Sequence, residues 1–260
     1  MDLKKRLCQA LGMLALFLTT GYATAQTMVV VADTWCPYNC EPTAKKPGYV
    51  VELLKSAFAT KGQSVSYRVM PWTRALLDTH SGKAAAVIAA NAREATEHQL
   101  AIGSEPIGVA KGCVFVPASS PFKYRSIQDL DGLTRVGVVG GNAYQNDFGE
   151  WLSRPENRPK IHEVFADNSS ERRAEMMIRG RIDGIFEDYT EMAYVLSTKG
   201  LQNQIMSAGC QNPSPLYVGF SKKHPRAQEL VATLDTEIRR MRKVGSLKDL
   251  LMSYGLEDWK

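Results

Sequence analysis

The sequence predicts an α/β protein of two lobes joined by two crossover strands. Three observations carry that expectation. Segments with strand character alternate with segments of helical period, first from Met28 to Ala89 and again from Arg135 to Phe186, the pattern of parallel sheets covered by helices. One device occurs twice: Gly82-Lys83 leads into the apolar run Ala85 to Ala89 and ends on Asn91, and Gly180-Arg181 leads into Ile182 to Phe186 and ends on Glu187-Asp188. Two proline-rich stretches, Pro117-Ala118-Ser119-Ser120-Pro121 and Cys210-Gln211-Asn212-Pro213-Ser214-Pro215, suit crossing points. The expected organisation is 26–117 and 212–260 for the first lobe and 118–211 for the second, after a leader of 1–25.

In chain order, Met28 to Ala32 is a β-branched strand that runs into a loop of turn formers and aromatics, Asp33 to Cys40. Val50, Val51, Leu54, Ala57 and Phe58 recur at helical spacing, with Gly62 suited to the end of that helix. Val65, Tyr67 and Val69 alternate as in a strand; Pro71-Trp72 ends it, and the next helix closes at Gly82. Gly112 to Val116 is a further strand. Arg135 to Val139 opens the second series, with Gly140-Gly141-Asn142 leading into a helix from about Tyr144, a strand at Ile161 to Phe165, and a helix capped by Asn168 with Glu171 three residues on. Met176, Met177 and Ile178 face the core, and Thr190 to Leu196 is helical. Leu216 to Ser221 is a strand. Leu230, Leu234, Ile238 and Met241 mark an amphipathic helix, and Ser246 caps the last one, with Leu247, Leu250, Leu251 and Tyr254 inward.

Of 260 residues, 44% are apolar, which excludes wholesale disorder. Lys4, Lys5 and Arg6, the apolar run Ala10 to Leu18 and the small-x-small site Ala23-Thr24-Ala25 read as an export signal cleaved after Ala25, so the mature chain is expected in the periplasm. The 32 basic and 27 acidic residues become 29 and 26 once Lys4, Lys5, Arg6 and Asp2 are set aside. Arg239-Arg240-Met241-Arg242-Lys243 is the longest basic run, and no aromatic residues interleave with it, so nucleic acid is not an expected partner.

Cys36, Cys40, Cys113 and Cys210 remain after the leader, an even number in an oxidising compartment. Three pairings are possible. Cys113 lies just before the first crossing and Cys210 at the second, and two crossing strands side by side bring Cα atoms within bridging reach, which favours Cys113–Cys210 and leaves Cys36–Cys40 to staple the first loop. His80, His98, His162 and His224 are scattered without ligand spacing, so neither a metal nor a cofactor is expected.

The order of motifs resembles family 3 of the periplasmic solute-binding proteins, the type serving polar amino-acid transporters. The matching pieces are Asp33 with Pro37-Tyr38; Gly48-Tyr49-Val50-Val51-Glu52-Leu53; Pro71-Trp72; Gly82-Lys83; Ser104-Glu105-Pro106; Ile127-Gln128-Asp129-Leu130-Asp131-Gly132; Val136-Gly137-Val138; and Gly180-Arg181-Ile182-Asp183-Gly184. The resemblance covers essentially the whole mature chain. It implies the two-lobe periplasmic-binding-protein type II (Venus-flytrap) fold with two crossover strands. It also implies a monomer, a small polar ligand, and a membrane permease or sensor as partner. In this family an Arg after the first-lobe strand clamps the ligand's α-carboxylate. An ungapped reading puts Glu97 on that position, with Arg93 one turn earlier. The family's second-lobe Asp, which takes the α-amino group, falls on Asp188.

The candidate ligand residues are then Trp35, Tyr38 and Trp72, whose rings can sandwich a ligand; Arg74 and Arg93, which can hold a carboxylate; Asn91 at a strand tip; Asn142 and Tyr144 near a helix start, where free N–H groups favour an anion; and Asp188. The bland roles are packing for the aromatics, solvation for the arginines, turn formation for Asn91 and helix capping for Asp188. The expected function is non-catalytic capture of a small polar ligand. The rivals are an enzyme on the same fold that eliminates water from a cyclic acid (cyclohexadienyl dehydratase-like), with Glu187 and Asp188 as bases, and a ligand-sensing subunit.

Overall fold

The computed structural model describes residues 27–140, 144, 146–166 and 168–260. The leader and Asn142 lie outside them. The chain forms two sheets, each built on the same β-α-β-α-β unit. In the first, β1 (Met28–Ala32) is followed by α1 (Tyr49–Ala59), β2 (Val65–Val69), α2 (Trp72–Ser81) and β3 (Ala86–Ala90). β1 lies between β2 and β3 and runs parallel to both. After α3 (Ala92–Glu97), β4 (Leu100–Ala101) and β5 (Gly108–Ala110), the chain leaves this sheet.

β6 (Gly112–Pro117) already belongs to the second sheet, where it pairs antiparallel with β9. The crossing therefore falls between Ala110 and Gly112, not near 117 as the prolines suggested: Pro117 ends a strand that has already crossed. The second unit is β7 (Val136–Val139), α4 (Asn146–Ser153), β8 (Ile161–Val164), α5 (Ser169–Ile178) and β9 (Gly184–Asp188), with β7 parallel to both β8 and β9. α6 (Tyr189–Lys199) leads to β10 (Ile205–Cys210), a strand the sequence pattern did not announce. β11 (Ser214–Ser221) returns to the first sheet beside β3, and α7 (Ala227–Val244) and α8 (Ser246–Ser253) complete that lobe.

The first core forms where the inward stripes of α1 and α7 meet β1, β3 and β11, burying Val50, Leu54 and Phe58 with Leu230, Leu234, Ile238 and Met241. In the second lobe the strand period of two splits the core. Val114, Val116 and Phe186 pack with Phe148 and Trp151, whereas Cys113, Phe115 and Ile185 pack with Met177, Met192 and Val195. Both disulfides are present: Cys36–Cys40, and Cys113–Cys210, whose residues lie opposite each other where β6 pairs with β10.

Three local expectations fail. Asn168 makes no side-chain cap on α5, because its oxygen accepts from Arg172 Nε instead (3.0 Å). Ser246 is the first residue of α8 rather than its cap, and Gly245 takes the cap position. Ile178 ends α5 at 42% exposure, one step round the helix from buried Met177.

Candidate functional site

In each unit the chain leaves the middle strand, β1 or β7, to one side and returns on the other. Ligands of open α/β sheets collect at the carboxyl ends of strands flanking such a reversal. The residues following β1 and β3, and those following β7 and β9, stand at such ends.

The loop after β1 is held from three sides. The Cys36–Cys40 bridge closes it, Asn39 Nδ2 donates to Asp33 O (2.6 Å), and the N–H groups of Tyr49 and Val50, at the start of α1, donate to Pro37 O and Tyr38 O (2.9 and 3.0 Å). Gly48 permits this contact: its φ is 110°, and a Cβ would stand 2.5 Å from Tyr38 O. Tyr38 is thereby fully buried, with Trp35 on one side (ring centroids 4.6 Å) and Tyr49 on the other (5.5 Å). Its hydroxyl faces Val109 O at 3.0 Å and Asp188 Oδ1 at 3.4 Å, joining the first lobe to the crossing and to the second lobe. Burial pushes the Tyr38 hydroxyl well up, with the Asp188 carboxylate adding to it.

Asp33 sits where β1 ends. Desolvation raises its carboxyl, against the pull of its own backbone N–H, and the charge of nearby Glu94 raises it further. Glu94 belongs to the start of α3. Its Oε2 accepts from Asn91 N–H (3.0 Å), and Asn91 Oδ1 accepts from Glu94 N–H (2.9 Å), a reciprocal capping box. Trp72 Nε1 donates to Glu94 Oε1 (3.1 Å). Asn91 and Trp72 are thus drawn together through a residue that the sequence reading passed over, although its spacing three after Asn91 was a visible signal. Arg74 pairs with Asp78 on an exposed helix face (2.8 Å), and Arg93 with Glu97 (3.4 Å).

In the second lobe Asp188 is 8% exposed and almost saturated. Oδ1 accepts from Thr190 and Glu191 N–H (3.0 and 3.1 Å), capping α6, while Oδ2 accepts from Lys111 N–H on the crossing (2.8 Å). Tyr38 completes the set. A carboxylate offers about four lone-pair sites, so little of Asp188 is left for a ligand. Desolvation pushes its carboxyl up to about 7, with Glu187 adding and the three N–H donors opposing.

Glu187 meets a cation, but an internal one. It bonds to Arg173, which is fully buried and also donates to Phe186 O (3.0 Å) and Ser170 Oγ (3.0 Å). Glu191, in the first turn of α6, comes within 2.5 Å of the same Ser170 hydroxyl. Burial pushes its carboxyl well up, and neighbouring Glu187 adds to the effect. Tyr144 accepts from Val139 N–H (2.8 Å), packs on Phe148, and lines a hollow of about 670 Å³ with Arg154 and Arg158; burial raises its hydroxyl to about 12. Arg173, Ser170 and Glu191 gave no sequence signal, since only folding brings α5 and α6 together over the tip of β9.

Among the described residues no three His, Cys, Asp or Glu side chains are grouped to hold a metal ion, and no helix is long and apolar enough to cross a membrane.

The family model of bacterial extracellular solute-binding proteins, family 3, matches residues 27–257. The chain belongs to this family. Its fold is similar to that of a histidine kinase sensor domain with similarity to periplasmic binding proteins (19% identity, TM-score 0.63, covering 90% of this chain and 98% of that one). An ancestral arginine-binding protein bound to arginine is similar too (18%, 0.63, 88% and 97%). So is the arginine-, lysine-, histidine-binding protein ArtJ from Geobacillus stearothermophilus (16%, 0.63, 90% and 97%). At these identities the likeness establishes the fold, which is that of the type II periplasmic binding proteins. No curated protein sequence matches the chain.

Proposed function

We propose that this family 3 protein is a periplasmic receptor that captures a small polar ligand, an amino acid or a related amine or carboxylate, between its lobes and delivers it to a membrane transporter. One observation carries the reading. The chain after β1 and the end of β9 meet at one buried contact, Tyr38 with Asp188, so the carboxyl ends of strands from both lobes, where ligands of such sheets collect, lie together beside the crossing. Ligand there bridges the lobes, and closure excludes water, which strengthens every polar contact inside. Delivery to a sensor partner is the second reading, favoured by the likeness to a kinase sensor domain.

The test is a thermal-shift screen of refolded, ligand-free protein against amino acids, amines, opines and small carboxylates, followed by small-angle scattering with and without each hit. A ligand raises Tm by mass action and makes the particle more compact. The reading fails if no compound of any charge raises Tm, or if prephenate or arogenate is consumed.

A further inference from the structure

The hollow of about 670 Å³ in the second lobe lies between α4 and the edge strand β8. α4 creates it. Phe148 and Trp151 turn into the core, with Phe148 stacked on Phe186 (ring centroids 3.6 Å). The next positions round the helix, Gly149 and Leu152, border the hollow instead. A Cβ on Gly149 would stand 2.3 Å from Tyr144 O, so this position takes no side chain and the space beside it stays open. Val138 of β7 and Ile161 of β8 join Leu152 in an apolar lining. The lobes meet elsewhere, at the tip of β9; β7 separates that strand from β8, and Ile161 opens β8 at its amino end.

Two arginines border this space on a fixed support. After α4 the chain makes a turn of 3-10 helix, Pro155–Lys160. Asn157 within it is only 2% exposed: its Nδ2 donates to Trp151 O (2.9 Å) and its N–H to Arg154 O (3.0 Å). Lys160 Nζ donates to Asp131 O (2.9 Å), and Trp151 Nε1 donates to Asp131 Oδ1 (2.9 Å). The turn is thus pinned from beneath, and Arg154 and Arg158 both line the hollow. Neither has an ion pair or a side-chain hydrogen bond among the described residues. Tyr144 adds a donor, because its oxygen accepts from Val139 N–H (2.8 Å) and its own hydrogen is left unspent. Glu163 is the acid among the described lining residues, so two cations face one carboxylate.

Small-molecule sites are concave, largely apolar and about 300–1,000 Å³ in volume, with a few polar groups that fix orientation. We propose that this hollow is a second binding site, separate from the space between the lobes, and that it takes an amphipathic organic anion. The anionic head, a sulfonate, carboxylate or phosphate, meets the guanidinium groups of Arg154 and Arg158 in charge-assisted hydrogen bonds. The apolar body covers Val138, Leu152 and Ile161. The pinned turn holds the backbone that carries both arginines before any ligand arrives, which limits the ordering cost of binding. This site does not depend on the solute-receptor reading above.

The experiment is fluorescence titration of the purified protein with 8-anilinonaphthalene-1-sulfonate and with N-phenyl-1-naphthylamine, the same ring system without the sulfonate. The sulfonate should bind saturably and more tightly than the neutral probe. Arg154→Gln with Arg158→Gln should weaken the sulfonate by about tenfold or more, the loss of a charge-assisted contact, and leave the neutral probe within about twofold. Neither arginine has a partner to lose, so this variant should melt with wild type. Leu152→Trp, which fills the hollow, should weaken both probes. Arg181→Gln, at an exposed arginine away from the hollow, should change neither. The inference is overturned if the double variant binds the sulfonate as wild type does, if the neutral probe binds wild type as tightly as the sulfonate, or if the sulfonate shows no saturable binding.

Discussion

Asp188 shows how one side chain's partners decide its chemistry. As an isolated carboxyl it ionises near 3.8; in the fold burial lifts it to about 7. Between about pH 4 and 7 the folded chain therefore holds a proton that the unfolded chain has released. Stability from this group is greatest at the acid end of that window and falls as pH rises through it. Asp33 and Glu191, also raised, act in the same direction. Thermal melts should give a higher Tm near pH 5 than near pH 7. Asp188→Asn keeps an acceptor for the α6 cap and should flatten the slope, by an amount on the order of 2–4 kcal/mol across the window. An unchanged slope in that variant would show that Asp188 does not titrate there.

At the scale of elements, the short strand β5 governs how the lobes join. Tyr49 Oη donates to Ile107 O (2.8 Å) and Tyr38 Oη to Val109 O (3.0 Å), one on each side of Gly108. A Cβ on Gly108 would stand 2.5 Å from Tyr49 Oη and 2.8 Å from Tyr38 Cε1, so the crossing needs a residue without a side chain. Gly108→Val should cost about 1–3 kcal/mol from overpacking, plus about 1 kcal/mol for each hydroxyl bond lost. The measurement is the urea midpoint, and an unaltered midpoint would mean that the two tyrosines give way freely. The device that occurs twice in the sequence also resolves at this scale. Gly82–Asn91 and Gly180–Asp188 lead through the third strands, β3 and β9, of two topologically equivalent units, and each tip residue caps the helix that follows.

For the whole molecule, the Cys113–Cys210 bridge encloses the β-α-β-α-β unit of the second lobe, with a sequence separation of 97. Cys36–Cys40 spans only 4. Loop-closure entropy assigns ~4.7 kcal/mol to the long loop and ~2 kcal/mol to the short one. Cys113→Ala with Cys210→Ala should lower the guanidinium midpoint more than Cys36→Ala with Cys40→Ala. The reverse order would show that the first loop depends on its staple more than loop length implies, through the support it gives Tyr38 and the start of α1.

Periodicity and punctuation by themselves determined the alternation of elements, because strand and helix periods are local properties of the chain: Met28 to Ala32, the α1 stripe and the α7 stripe stand where the pattern put them. The motif order determined the family. What required the folded chain was the assignment of partners. β10 has little pattern of its own and exists because β6 is there to pair with it. Trp72 and Asn91 meet only through Glu94, and Glu187 finds its cation in Arg173, fourteen residues back on α5. Asp188 stands where the motif predicted, yet its oxygens belong to three backbone N–H groups and Tyr38. A hydrogen-bonding group takes whichever donors the packed chain brings within about 3 Å, and the sequence does not reveal which those are.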